Sequence, residues 1–484
     1  MEWHFVENWP SYLGFLFLLY LLTVMALLIN EQRNPAKTLT WLVVLAFVPL
    51  LGLVLYFFLG RNWKKIAERK GLHDHWRELA GPCMSRIRQR HAEDSKAARS
   101  WAEERGWEGL VDLVEQAEGV VPLPAGDVRI LPGGAQKFAR LKKDLSNAEH
   151  TINIQYFIWE RDVLTAELTA ILRERIEAGV EVRILNDFIG NFFYPKDELK
   201  DLSRAGARVY FDVRQINKAN YRNHRKIVVI DGVLAYTGGI NVGQEYIDGG
   251  PRYPAWRDTH VCFKGPAAAE LQKLFALRWY DATKENLFSK RFFPDNYPAG
   301  ELCVPALVVA TSVEDKWETA RRAHVLAISR ARHRVWIQSP YFVPDDQIYE
   351  VIVNAALAGV DVRLIMTGWP DKKSAWYAAQ TYFKPFLRAG GRIFFYNKGF
   401  FHAKTITIDS TLLAIGTMNL DVRSLELHKE LMVWFLDENL TKEHEAVFEE
   451  DLLECEEYTL ERLDSLSWSA RFRNSALRLA SNLL

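Results

Sequence analysis

The chain has 484 residues, more than one ordinary core of about 100–200 residues takes up, so two or three domains are expected. Sixty-one Lys and Arg balance sixty-one Asp and Glu, which excludes the chain-wide basic field that commits a protein to nucleic acid. With 49% hydrophobic and 25% charged residues the composition is globular, and four scattered cysteines without a C-x-x-C pair argue against a zinc cage or a disulfide framework and favour a reducing compartment.

Residues 12–29 form an 18-residue run without a charge, and residues 39–59 form a second of 21. Each roughly matches the ~20 helical residues that cross a hydrocarbon core. A transmembrane helical hairpin is therefore expected over residues 1–60. A cleaved signal peptide fits less well, because Glu2 and Glu7 and no Lys or Arg precede the first run. Pro49 and Gly52 leave a re-entrant second arm open. Residues 61–119 read as a basic juxtamembrane linker with helical character, and Arg61 to Arg90 holds nine Lys and Arg against three acids. Positive-inside bias places the chain beyond residue 60 in the cytoplasm, with the basic stretch and Trp63 and Trp76 against anionic headgroups or else plainly solvated.

The body is written twice. Asn153 to Ile158 parallels Trp336 to Phe342, Ala178 to Ile184 parallels Ala358 to Leu364, and Arg204 to Tyr210 parallels Arg388 to Phe394. In the second and third pairs an amphipathic helical stretch ends at Ala-Gly, where glycine suits a left-handed cap, and a strand comes next. The expected fold class is α/β: two pseudo-equivalent domains, residues 120–300 and 301–484, each with a largely parallel or mixed sheet between helical layers. The last stretch, Leu463 to Leu484, is expected as a helix, either interfacial or docked on the second domain.

Each repeat ends in chemistry. NHRKIVVIDG supplies His224, Lys226 and Asp231, followed by Gly238, Gly239 and Asn241; FHAKTITIDS supplies His402, Lys404 and Asp409, followed by Gly416, Thr417 and Asn419. On a strand, residues two apart share a face, so each His projects with its Lys while Arg225 and Ala403 face away. The odd spacing turns Asp231 and Asp409 to the other side, a supporting place. The glycines let backbone approach an anion, and Asn241 and Asn419 add amide donors. Two imidazoles for proton and phosphoryl transfer, with two ammonium and two amide groups for phosphate oxygens, describe a site for a phosphodiester. An ammonium beside each imidazole is a poor companion for a divalent cation, so no metal and no cofactor are expected.

These paired motifs resemble the phospholipase D superfamily, in which two such motifs share one active site. From RNPAKTLTWLVV (Arg33 to Val44) through TGGIN (Thr237 to Asn241) and WRDTH (Trp256 to His260) to GFFHAK (Gly399 to Lys404), the chain is similar to the bacterial cardiolipin synthases of that superfamily. The resemblance implies a cell inner membrane enzyme that moves a phosphatidyl group from one phosphatidylglycerol to another through a phosphatidyl-histidine, releasing glycerol and cardiolipin. It implies by analogy His224 as nucleophile and His402 as acid and base, although the sequence treats them nearly alike. It also implies a carboxylate in each half to orient an imidazole, for which Asp258 and Glu430 are candidates. A hydrolytic phospholipase D and a non-catalytic scaffold for anionic lipid are the competing readings. A nucleic-acid phosphodiesterase would want a basic groove that the neutral charge disfavours.

Overall fold

The computed structural model describes residues 9–30, 35–60, 63–212, 221–298, 303–312 and 315–479. They divide into two compact units, one ending at Leu72 and one beginning at His73. In the first unit, a helix at Trp9–Asn30 carries no charge, and the second apolar run is broken into helices at Pro35–Phe47 and Pro49–Leu55 and a π-helical turn at Tyr56–Gly60. The break falls where Pro49 lacks the N–H that would continue the ladder. Among the described residues no helix is long and apolar enough to cross a membrane, where a spanning hairpin is expected. Phe15, Leu16, Leu18, Phe47 and Leu50 are all exposed.

Helices at Leu72–Arg90, Ala92–Glu104 and Glu108–Glu118 lead into the second unit, in the stretch expected as a basic linker with helical character. Several of its basic groups are taken up by protein. Arg86 donates to the Phe293 carbonyl at 2.7 Å and lies 3.2 Å from Asp295, and Trp76 sits under the Arg278 guanidinium.

Fifteen strands then form one sheet. The first half supplies β1 (Leu123–Leu131), β2 (Thr151–Tyr156), β3 (Glu181–Asp187), β4 (Arg208–Asp212), β5 (Ile227–Ile230), β6 (Leu234–Gly238) and β7 (His260–Lys264). The second supplies β8 (Cys303–Thr311), β9 (Arg334–Gln338), β10 (Asp361–Thr367), β11 (Arg392–Tyr396), β12 (Thr405–Ile408), β13 (Leu412–Gly416), β14 (Glu430–Leu436) and β15 (Cys455–Tyr458). The order is β15-β11-β10-β9-β12-β13-β14-β8-β1-β7-β6-β5-β2-β3-β4, so the halves mirror each other outward from the β1–β8 seam. That seam is antiparallel, Leu123 opposite Ala306 and Gly126 opposite Cys303. In each half the three consecutive strands β2-β3-β4 and β9-β10-β11 are parallel, and the rest pair antiparallel, as expected of a mixed sheet.

The Ala-Gly junctions end helices as expected, with Gly179, Gly206, Gly359 and Gly390 at φ +90°, +117°, +86° and +99°. Each half has its own apolar core, and a third, including Leu123, Phe263, Trp279, Leu431 and Phe435, straddles the seam. Full burial of such side chains stabilises by roughly 1.5–3 kcal/mol each, which fixes the two halves as one body. The final helix, Trp468–Leu479, docks on the second half: Arg473 lies over the Tyr377 ring, and Asn474 donates to Gln380 at 2.9 Å.

Candidate active site

The two motifs meet where the halves cross. His224 and Lys226 lie just ahead of β5, and His402 and Lys404 just ahead of β12, rather than within the strands as the spacing suggests. The physical reason is a pair of backbone bonds across the halves: the His224 N–H donates to the Lys429 carbonyl at 3.0 Å and the His402 N–H to the Arg257 carbonyl at 2.7 Å. The segments remain extended, so the alternation holds, and Arg225 turns away to donate to the carbonyls of Glu430 and Thr311.

This crossing exchanges the orienting carboxylates. His224 Nδ1 lies 3.0 and 3.1 Å from the oxygens of Glu430, and His402 Nδ1 lies 2.8 Å from Asp258 Oδ2. Each imidazole is thus served by the other half's acid. A carboxylate only accepts, so the proton sits on Nδ1 and Nε2 is left with its lone pair. Both acids are fully buried. Burial works against the Asp258 carboxylate, but Lys404 and then His402 outweigh it and hold its pKa below the ordinary value. Asp258 Oδ1 also accepts from the Thr259 N–H at 2.7 Å. A Cβ at Gly239 would come within 2.1 Å of that oxygen, which explains the glycine there. Glu430 is longer, and at the equivalent place Thr417 donates its hydroxyl to Glu430 Oε2 at 2.5 Å. Gly238 and Gly416 bring β6 and β13 against the Thr259 and Leu431 carbonyls, where a Cβ would approach to 2.5 and 2.1 Å.

Lys226 and Lys404 are buried and donate to the carbonyls of their own histidines, Lys226 at 2.7 Å. Burial draws Lys226 down to about 7 and Lys404 to about 8; Glu430 opposes it at Lys226, where Lys404 adds to the depression, and Asp258 and then Glu430 oppose it at Lys404. Burial, then Lys404, takes His402 to about 4; burial, then Lys226 and Lys404, takes His224 well below its usual value. Both imidazoles are therefore neutral near pH 7 until a negative charge enters. His224, His402, Asn241 and Asn419 line one cavity of about 330 Å³. Asn241 donates through Nδ2 to the Tyr246 hydroxyl and Asn419 through Nδ2 to the Ser424 hydroxyl, both at 3.3 Å, and the Oδ1 of each has no hydrogen bond among the described residues.

Asp231 and Asp409 stand apart from the cavity. Asp231 accepts from the N–H groups of Glu149, His150 and Thr151, and Asp409 from those of Arg332, His333 and Arg334, so each caps the start of the first parallel strand of its half, β2 and β9. Among the described residues no group of three or more His, Cys, Asp or Glu is placed to hold a metal ion.

The family description "Cardiolipin synthase, PLD-like domain" matches residues 141–278 and 325–452, one match per half, and "Phospholipase_D-nuclease N-terminal" matches residues 16–61. Cardiolipin synthase 2 of Bacillus anthracis is 35% identical over 96% of this chain and 90% of its own length. The major cardiolipin synthase ClsA of Bacillus subtilis is 33% identical over 98% of both chains. The chain belongs to the cardiolipin synthase family. The crystal structure of phosphatidylserine synthase from Haemophilus influenzae covers 78% of this chain and all of that one with a TM-score of 0.60 at 13% identity, a likeness of fold.

Within this cardiolipin synthase fold, further residues that the motifs alone do not single out reach the cavity: Arg222, Trp256, Phe400, Arg423 and His428. Each lies within four residues of a motif position, so the signal was adjacency. What positions them is cross-half pairing. Arg257 makes a bidentate bond to Asp451 at 2.7 Å, and Lys429 bonds Asp212 at 3.0 Å, so each carboxylate-bearing strand is tied to the opposite half.

Proposed function

We propose that this member of the cardiolipin synthase family carries out phosphatidyl transfer between two phosphatidylglycerol molecules, giving cardiolipin and glycerol through a phosphatidyl-histidine. What carries the reading is the pair of imidazoles, each bonded at Nδ1 to a buried carboxylate of the other half, facing one cavity. A phosphodiester entering this cavity brings the negative charge that restores the ammonium state of Lys226 and Lys404 and lets one imidazole hold a proton. The neutral imidazole attacks phosphorus through Nε2. The protonated one gives its proton to the departing glycerol oxygen, then takes a proton from the hydroxyl of the second lipid as that oxygen displaces the imidazole. The carboxylates stabilise the positive charge that develops on each ring, and the second Nδ2 hydrogen of Asn241 and of Asn419 serves a phosphate oxygen. Because one phosphodiester replaces another, no nucleotide is needed.

Water at ~55 M competes for the intermediate, so the acceptor must be oriented and locally concentrated. A membrane does both. We place the N-terminal helices in the bacterial cell membrane as a hairpin, with the catalytic unit on the cytoplasmic side. The uncharged Trp9–Asn30 helix, the exposed apolar side chains of both arms and the basic residues after Gly60 support that placement.

The test is rapid quenching of the full chain after mixing with phosphatidylglycerol labelled at phosphorus. Label bound through an acid-labile, base-stable P–N bond is expected. Turnover with label bound only through oxygen, or never bound, would overturn the covalent route.

A further inference from the structure

The repeat makes three cavity positions equivalent in the two halves: two residues before the histidine, four after the asparagine, and two before the carboxylate. They hold Arg222, Arg423 and His428 in one set and Phe400, Glu245 and Trp256 in the other, and all six line the cavity. The His428 ring lies 6.1 Å from the His224 ring, whereas His402 has Phe400 and Trp256 at 5.6 and 5.5 Å. At these six positions one set holds two guanidinium groups and an imidazole and the other two aromatic rings and an acid, although Phe157 also stands 5.1 Å from the His224 ring and Asp421 lines the same cavity.

We infer that Arg222, Arg423 and His428 form a subsite for a second phosphodiester, the one that is not cleaved, belonging to the lipid that accepts the phosphatidyl group. This rests on the proposed transfer between two phosphatidylglycerols. The acceptor differs from the departing glycerol by its own phosphate, and a neutral alcohol would need no such flank. In the product two phosphorus atoms are bridged by glycerol, and six bonds of roughly 1.5 Å keep them within about 8 Å. The 6.1 Å between the rings of His224 and His428 is of that size. His428 Nε2 has no hydrogen bond among the described residues, and its Nδ1 stands 3.7 Å from Glu430 Oε1, beyond hydrogen-bond length. Burial, then the charge of Arg222, holds the Arg423 guanidinium below its ordinary pKa, with Asp421 opposing them.

The same geometry orders the histidines. In an in-line displacement the incoming alcohol occupies the place of the leaving group, opposite the attacking nitrogen. A lipid whose phosphate rests beside His224 delivers its hydroxyl there, so His224 carries the proton and His402 forms the bond to phosphorus. As the His402 N–P bond forms, the P–O bond to glycerol breaks and the proton of His224 passes to that oxygen. As the acceptor O–P bond forms, the N–P bond breaks and the acceptor proton returns to His224. This reverses the order that the sequence resemblance implies.

The full chain in detergent, supplied with phosphatidylglycerol and labelled glycerol, reports cardiolipin formation and glycerol exchange side by side. In Arg423→Gln and in His428→Gln the ratio of cardiolipin formation to exchange should fall about 10- to 100-fold, the worth of a charge-assisted hydrogen bond, with much of it recovered in Arg423→Lys. A ratio within threefold of wild type in both Gln variants would overturn the subsite. Wild-type protein that produces neither lipid product would instead overturn the proposed function. Rapid quenching of His224→Asn should leave labelled phosphatidyl-enzyme and that of His402→Asn none; the opposite pattern would refute the order of the histidines.

Discussion

Replacing Asp258 with Asn changes one atom in a fully buried group and should nearly abolish turnover. The Asn carbonyl keeps the 2.7 Å bond from the Thr259 N–H, which aims the new NH2 at His402 Nδ1, 2.8 Å from the present Oδ2. Two donors then face each other, and the imidazole escapes by moving its proton to Nε2, the atom that must attack or accept a proton. Losing a bond to a charged acceptor costs about 1.5–3 kcal/mol, or roughly 10- to 150-fold. The wrong tautomer raises the loss to an expected ~10³–10⁴ in kcat, as in other carboxylate–imidazole pairs. The assay is the initial rate of cardiolipin formation at saturating phosphatidylglycerol, with circular dichroism to show retained fold. Activity within threefold of wild type would refute the exchanged dyads, because among the described residues no other acceptor bonds His402 Nδ1.

The remaining predictions concern charge and support. Lys226 at about 7 and Lys404 at about 8 must be protonated to hold an anion, so tungstate affinity measured by calorimetry should be strongest below pH 7 and fall as pH rises through 7 and 8; a flat profile to pH 9 would contradict the buried ammonium groups. Arg257→Met strands the buried Asp451 carboxylate and should cost about 3–5 kcal/mol, read as a melting temperature lowered by several degrees, and an unchanged melting curve would count against this tie between the halves. Asp231→Ala unties three N–H groups at the start of β2; thermal unfolding should shift downward while the pH profile of the surviving activity keeps its shape, and a changed profile would mark Asp231 as a proton carrier. Thr417→Val removes the hydroxyl on Glu430 and should lower kcat about tenfold without raising KM, a split that a merely structural threonine would not give.

The duplicated frame and the motif residues were legible in the sequence because each rests on local rules. Ala-Gly junctions mark helix ends, and a His-x-Lys pair shares a face wherever the backbone is extended. The continuous sheet was not legible, since its seam strands read LPAGDVRIL and CVPALVVAT, where Pro124, Gly126 and Pro305 argue against interior strands. Nor was the exchange of carboxylates. Asp258 comes after His224 in the chain and Glu430 after His402, yet folding about the seam gives each acid to the other histidine, a relation that spacing within one repeat does not encode. The asymmetric flank shows the reverse case. Arg222, His428 and Arg423 were all visible beside the motifs, but only the cavity shows that they stand together.

The most direct test of the account is lipid analysis after the full chain is incubated with phosphatidylglycerol alone in EDTA, beside His224→Ala and His402→Ala. Cardiolipin and free glycerol in equal amounts from the wild type, and from neither variant, is the predicted result. Phosphatidic acid as the main product, or cardiolipin that persists in either variant, would contradict transfer by two cooperating histidines.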